Sequence, residues 1–265
     1  MTAIDVIVLD LDGGAMLEEC LASIRAQSVQ PGRVIVFDNG SQIPVAERTR
    51  DVEVHRSDVN LGFAGGANAA WTKASAPYVA IVNNDVVLDP DWLAYTRDAL
   101  DRDPKLAAVQ TIIRRPDGKI DGAGIDVSDG TYRQIGHGAA LGAPLMCPWG
   151  VSATATVYRR AATGERPFDE RFFAWYEDVE LAARLRETGW RMAVLPVVEA
   201  THRGSQSAPA LGGRARRLRT RNRYFVARLH PGAGRIAALL WEDARLALRG
   251  RSSLRGIVEG LWSRL

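Results

Sequence analysis

The chain has 265 residues, 46% hydrophobic and 25% charged, a composition that excludes disordered and fibrous proteins and allows one large domain or two small ones. Its net charge of +3 is unevenly spread: Arg214 to Leu265 holds thirteen Arg against three acids, a balance of +10, which leaves −7 for an acidic core. No uncharged apolar run approaches the roughly 20 residues of a membrane span, the first residues lack a secretory leader's pattern, and two cysteines (Cys20, Cys147) are too few for a disulfide framework, so a cytoplasmic protein is expected.

Ile4 to Leu9 is a β-branched run that predicts a first strand, ending in Asp10-Leu11-Asp12-Gly13-Gly14. Leu17, Cys20, Leu21 and Ile24 then recur at helical spacing. Val34 to Phe37 predicts a second buried strand, closed by Asp38-Asn39-Gly40-Ser41, and Val52 to His55 a third with one exposed face. Strands alternating with helical stretches point to a mostly parallel, doubly wound α/β sheet with helices on both faces. Asn60 to Asn68 reads as a glycine-rich loop before a helix over Ala69 to Ala74, where backbone can approach a phosphate or a sugar hydroxyl. The dinucleotide spacing G-x-G-x-x-G is absent, so dinucleotide binding is not supported.

Tyr78 to Val82 is an apolar run that stops at Asn83-Asn84-Asp85, as a buried strand does. In open α/β sheets ligands bind beyond the carboxyl ends of strands, which places this carboxylate and two amides where substrate would meet them. Asp89 is an N-cap candidate, with Pro90 opening a helix towards Leu100. From Lys105 to Ala143 the chain is rich in Gly and Asp, and Asp117-Gly118, Asp121-Gly122 and Asp129-Gly130 predict tight turns. Cys147 to Gly150 reads as a turn into a strand over Ala153 to Tyr158.

Phe168 to Asp178 is the densest cluster, with aromatics on both sides of paired carboxylates. Such surroundings raise a carboxylate towards the working range of a general base. Glu177 and Asp178 open a helix over Val179 to Glu187, where first-turn acids also complement the helix dipole, so either carboxylate could serve chemistry or structure. Gly189 to Pro196 predicts a last strand, and His202 follows it.

In this order these stretches resemble the family-2 glycosyltransferases, inverting enzymes of the GT-A fold, and among them the rhamnosyltransferase-like members. The likeness runs from Ile4 to about Pro231. It implies a glycosyltransferase domain over residues 1–203, with a nucleotide-sugar half (1–104) and an acceptor and catalytic half (105–203), followed by a basic helical extension (204–265). By resemblance, Asp38, Asn39 and Ser41 hold the base and ribose, and Asn60, Gly62, Phe63, Gly66 and Asn68 line the donor site. Asn83, Asn84 and Asp85 match the metal motif, with Asp85 as ligand and His202 completing the site. The segment Phe168 to Arg184 matches the catalytic motif and assigns the base to Asp178, leaving Trp175 and Glu177 to the acceptor. Arg221-Asn222-Arg223 matches a late Arg-Asn element. Asp12, part of Leu11-Asp12, stands on the donor side where many relatives carry Tyr-Asn, so the choice of nucleotide stays open.

The implied chemistry is coherent. A sugar nucleotide leaves its diphosphate behind, a Mg²⁺ or Mn²⁺ ion neutralises that charge, and one carboxylate deprotonates the acceptor hydroxyl for in-line attack. The implied partners are a nucleotide-diphosphate sugar and a glycan, lipid-linked or small-molecule acceptor, and no nucleic acid. The Arg-rich tail suggests peripheral contact with the inner face of a membrane. Two rival readings stand beside this one. Asp10-Leu11-Asp12-Gly13 mimics the nucleophile loop of haloacid-dehalogenase-like phosphatases, and an inactive sugar-nucleotide-binding protein would keep the same fold.

Overall fold

The computed structural model describes residues 2–47, 49, 52–140, 148–204 and 207–263. Strand β1 (Ile4–Asp10) leads to helix α1 (Ala15–Arg25), β2 (Arg33–Asp38), β3 (Glu53–Arg56), α2 (Gly62–Trp71) and β4 (Tyr78–Asn83). A turn at Asn84-Asp85 enters β5 (Val86–Leu88), followed by α3 (Trp92–Arg102) and the long β6 (Leu106–Arg114). Short strands β7 (Ile120–Gly122), β8 (Ile125–Asp126) and β9 (Arg133–Gln134) precede β10 (Ala155–Arg159) and α4 (Arg160–Thr163). The chain closes with α5 (Glu177–Glu187), β11 (Arg191–His202), α6 (Ser207–Leu229), α7 (Ile236–Ala247) and α8 (Leu254–Trp262).

The main sheet runs β3-β2-β1-β4-β10-β6-β11-β5, with β7 on β6. Strands β1 to β4 are mutually parallel, as are β6 and β11, while β10 and β5 enter antiparallel. This topology sends the carboxyl ends of β1, β2, β4, β6 and β11 to one edge, together with the amino end of β10. Successive side chains of a strand face opposite ways. Val6 and Val8 therefore pack with Leu17, Leu21, Trp92 and Leu93 of α1 and α3, and Ile7 with Ala64, Ala67, Trp71 and Leu181 of α2 and α5. The sheet is covered on both faces, which is why its strands read as apolar runs.

Several local expectations change. Gly62 to Asn68 is not a loop but the first turns of α2, because its glycines let the helix press against Asn39 and Leu9. Helix α3 begins at Trp92. Asp89 does not cap it; its carboxylate accepts from the Asp91 N–H at 3.0 Å. Asp121-Gly122 lies in β7 and is not a turn. Of the turn expected at Cys147 to Gly150, Cys147 lies outside the described residues.

The C-terminal helices are integral to the fold. Phe225 and Val226 of α6 pack with Phe172, Val179 and Ala183, and His230 bonds to Glu187 and Glu180 of α5. On α7, buried Asp243 accepts from Tyr224 at 2.6 Å and pairs with Arg223. Helix α8 lies backbone to backbone on α6 through Gly256 and Gly260. A Cβ at Gly260 would come 2.7 Å from the Arg221 carbonyl oxygen and from Tyr224 Cβ. Gly260→Val should therefore lower the melting temperature in a thermal-denaturation scan, whereas Gly213→Ala, with open space around it, should leave it unchanged or slightly raise it.

Candidate active site

At the shared edge of the sheet lies a cleft of about 500 Å³, lined from β1, β4, β11, α2, α5 and the segments before β10 and α5. The turn after β4 puts Asp85 into it, 5% exposed. Because β5 pairs with the end of β11, His202 lies opposite Val86 and its Nε2 stands 3.2 Å from Asp85 Oδ2. Its Nδ1 stands 2.7 Å from Asp121 Oδ2 on β7. Burial disfavours the imidazolium, but the bonds and charges of Asp121 and Asp85 outweigh it and lift His202 to about 9. The same bond holds Asp121 below the usual carboxylate range against its own desolvation. A carboxylate that orients an imidazole from behind, with a second carboxylate in front, is an arrangement able to receive a divalent cation. Among the described residues no group of three or more His, Cys, Asp or Glu could hold one, so further ligands must come from substrate and water.

The other chemistry in the cleft belongs to the start of α5. Burial raises the Asp178 carboxyl, while N–H groups moderate the shift: Ala153 N donates to Oδ2 at 3.3 Å and Val179 N to Oδ1 at 2.8 Å. Glu177 is 6% exposed, and its Oε2 is buried without a hydrogen-bond partner among the described residues. Burial, then the charge of Asp178, raises it well above the usual range. Of the two carboxyls Glu177 is the one shifted further towards its neutral form, while Asp178 keeps N–H donors that favour its ionised form.

The approach to α5 is strained. Phe173, Trp175 and Tyr176 have φ values of 65°, 67° and 72°, a left-handed conformation that side chains rarely adopt. The Asn222 amide on α6 holds them by donating to the carbonyls of Phe172, Ala174 and Trp175 at 2.9, 2.9 and 2.7 Å. Arg221 donates to Arg171 and Phe172. The Phe173 carbonyl in turn accepts from Ala64 N at 3.1 Å, and the approach is so close that a Cβ on Gly62 (φ 76°) would overlap it.

On the donor side, Asn39 bonds the start of α2 both ways, accepting from Leu61 N at 3.0 Å and donating to the Gly62 carbonyl at 2.9 Å. Asn60 accepts from Gly62 N at 2.8 Å. Asn39, Asn60, Gly62, Phe63, Asn83 and Asn84 line the cleft with Asp85, Trp175, Glu177, Asp178 and His202. Others lie behind it. Asp38 is fully buried, accepts from Ser41 N and Val45 N and pairs with Arg56, so it shapes the loop. Ser41 is buried and donates to Asp10. Asn68 is clamped to the backbone of Phe168 in both directions, and Gly66 faces Leu9 and Asn39. Asp12 is exposed and accepts from Gln42 N. The phosphatase reading fails on the same geometry: Asp10 is fully buried, engaged by Asn84 and Ser41, and Asp12 is turned away from it.

Sequence reasoning missed Asp121, whose Asp-Gly context resembles a turn, and gave no role to Asn222. It also passed over Ser152 to Thr154, which wall the cleft beside Asp178.

A sheet of this order, with acids and amides gathered at its carboxyl edge, defines a glycosyltransferase of the GT-A architecture. The chain belongs to the family described as Glycosyl transferase family 2, whose profile matches residues 6–143, just over half of its length. It is 29% identical to the N-acetylglucosaminyl-diphospho-decaprenol L-rhamnosyltransferase of Mycobacterium tuberculosis, over 94% of each chain. Among solved structures it resembles GalNAc-T7 with UDP, GalNAc and Mn²⁺ at a TM-score of 0.65 and 12% identity, over 86% of this chain and 48% of that one. It also resembles the mannosyltransferase PcManGT of Pyrobaculum calidifontis with GDP-Man and Mn²⁺ at a TM-score of 0.59 and 19% identity, over 100% of this chain and 88% of that one.

Glu177 offers a thermodynamic check of the site. Its folded-state pKa lies above the unfolded value, so the stability it contributes is full below about pH 4.3 and is lost as pH rises through the folded value. Glu177→Gln removes that loss. The variant should gain melting temperature over the parent at pH 8, and much less at pH 4; equal gains at both would show that Glu177 is ionised in the fold.

Proposed function

We propose that this enzyme moves one sugar, with L-rhamnose the favoured candidate, from a nucleoside diphosphate to a hydroxyl of a sugar carried on a lipid diphosphate, with inversion at the anomeric carbon. The observation that carries the reading is that Asp178 and the Asp85–His202 pair line one cleft. The mycobacterial relative, named for a diphospho-decaprenol-linked acceptor and rhamnose, supports the choice of sugar and acceptor.

Asp178 accepts the proton of the acceptor hydroxyl as its oxygen attacks the anomeric carbon, and the bond to the diphosphate breaks on the opposite face. Burial suits Asp178 to this task, since a raised carboxyl binds the proton more firmly than a solvated one. Glu177, kept neutral, places no second negative charge beside it. Asp85 and His202 present an oxygen and a ring nitrogen to the same space, a donor set that fits Mg²⁺ or Mn²⁺. Solved relatives in the fold carry Mn²⁺. When bound there, the cation supplies positive charge for the departing diphosphate. Asp121 keeps the ring of His202 in place.

Asp178→Asn keeps the shape and removes the basic oxygen. It should lower transfer by roughly 10² to 10⁴ while nucleotide-sugar binding survives. Asp85→Ala should abolish transfer, and EDTA should do the same to the parent. Full transfer in EDTA would sink the metal assignment, and near-normal transfer by Asp178→Asn the base.

The C-terminal helices support peripheral membrane contact on the cytoplasmic side. No helix of the described residues is long and apolar enough to cross a bilayer. Exposed large apolar side chains gather on α7 and α8 instead: Trp241, Leu248, Leu254, Val258 and Trp262. Leu254, Val258 and Trp262 recur every four residues along α8, on the side away from Gly256 and Gly260. The surrounding arginines match an anionic lipid surface, where each adds about 1 kcal/mol. In a flotation assay the protein should rise with anionic vesicles at low salt, and Leu254→Asp with Trp262→Asp should stay below. Failure of the parent to float would exclude lipid as the occupant, and self-association measured by light scattering would assign the face to a second copy.

A further inference from the structure

Helix α6 carries Arg219 to the wall of the cleft, where its guanidinium carbon sits 4.5 Å from the centroid of the Trp175 ring. A guanidinium stacked in this way uses its face on the indole and leaves its edge N–H groups for another partner. Among the described residues no carboxylate or carbonyl takes them. Of the neighbouring arginines, Arg217 pairs with Glu259, Arg221 donates to Arg171 and Phe172, and Arg223 pairs with Glu242 and Asp243, while Arg214 also stacks on a ring, that of Phe173, but does not line the cleft. Arg133, the other arginine of the cleft wall, pairs with Asp129.

The platform under Arg219 is fixed. Trp175 is held at φ 67° with its carbonyl bonded to Asn222, three residues before Asp178. The same wall carries the carboxyls of Asp10, Asp85, Glu177 and Asp178 and the imidazole of His202. A guanidinium with free edge donors beside them is matched to an anionic part of the substrate, and a planar fork of donors suits a phosphate best. We infer that Arg219 is a phosphate-binding residue of this site, reading an oxyanion of a diphosphate held next to Asp178. The inference rests on the proposed reading that both substrates carry diphosphates, and either the acceptor or the departing nucleotide could present the oxyanion.

Calorimetric titration separates the two sources. The ligands are UDP and dTDP with Mn²⁺, a short-chain polyprenyl-diphospho-N-acetylglucosamine, and a neutral alkyl N-acetylglucosaminide of similar tail. They are titrated into the parent, Arg219→Gln, Arg219→Lys and, as a control on the exposed surface of α3, Arg102→Gln. Arg219→Gln should weaken binding of a phosphate-bearing ligand about tenfold or more and leave the neutral glycoside unmoved. Arg219→Lys should recover part of the loss, and Arg102→Gln should match the parent. A loss confined to the prenyl diphosphate assigns the oxyanion to the acceptor, and one confined to UDP or dTDP assigns it to the leaving group. Unchanged affinity of Arg219→Gln for every phosphate ligand overturns the inference while the functional reading stands. A parent that binds no nucleotide at all overturns both.

Discussion

The active site depends on one side-chain amide. Asn222 gathers three carbonyls of a backbone in which three side-chain-bearing residues are left-handed. Each such residue costs of order 1 kcal/mol or more, so the conformation persists only where its surroundings over-determine it. The strain has a geometric result: it ends in the first turn of α5 and so fixes where Asp178 and Glu177 point. It also presents the Phe173 carbonyl to the Ala64 N–H in the first turn of α2. Helix α2, the segment before α5 and helix α6 are thereby joined through four residues of backbone.

Around that loop the two adjacent carboxyls are separated by environment. Asp178 receives N–H groups from both sides, which keeps an ionised form accessible, while Glu177 has an oxygen facing nothing polar among the described residues. The pair shares burial but not hydrogen bonding, and hydrogen bonding decides which one can act as a base. At the corner of the cleft around His202 the order is reversed. Asp85 and Asp121 flank one imidazole, and a carboxylate on each side makes that position attractive to positive charge.

How much of this could be read in the chain follows from what each element buries. Strands β1, β2 and β4 were legible because both of their faces are covered, so their sequences are apolar without interruption. Strand β6 was not, since the buried Gln110 and Thr111 interrupt its apolar run, and the groups that bond to them, Ser152 N–H and Trp92 Nε1–H, lie far away in the chain. The first turns of α2 were taken for a loop because their glycines suggest turns, although here they serve close packing. Asp85, Asp178 and His202 stood in recognisable motifs, and the fold brings them to one cleft. Asp121 carried only a turn signal, and Asn222 only a place in a late Arg-Asn element with no role attached. A carboxylate behind a histidine and an amide beneath a loop acquire meaning only from pairings 81 and about 50 residues apart.

The same long-range logic links the surface to the chemistry. The loop is held by α6, and α6 is held by α8 through two glycines that bring the helix backbones together. A contact of that kind allows little sliding, because the interlocking atoms are backbone and Cβ with no long side chains to bend. The opposite face of α8 carries Leu254, Val258 and Trp262. Any surface that receives those side chains is therefore tied through two rigid helices to Asn222, and from there to the residue before α5. An acceptor anchored in that surface would meet the proposed base, Asp178, at a height set by packing, which is a geometric reason for basic, apolar-faced helices to be packed so tightly against the segment before α5.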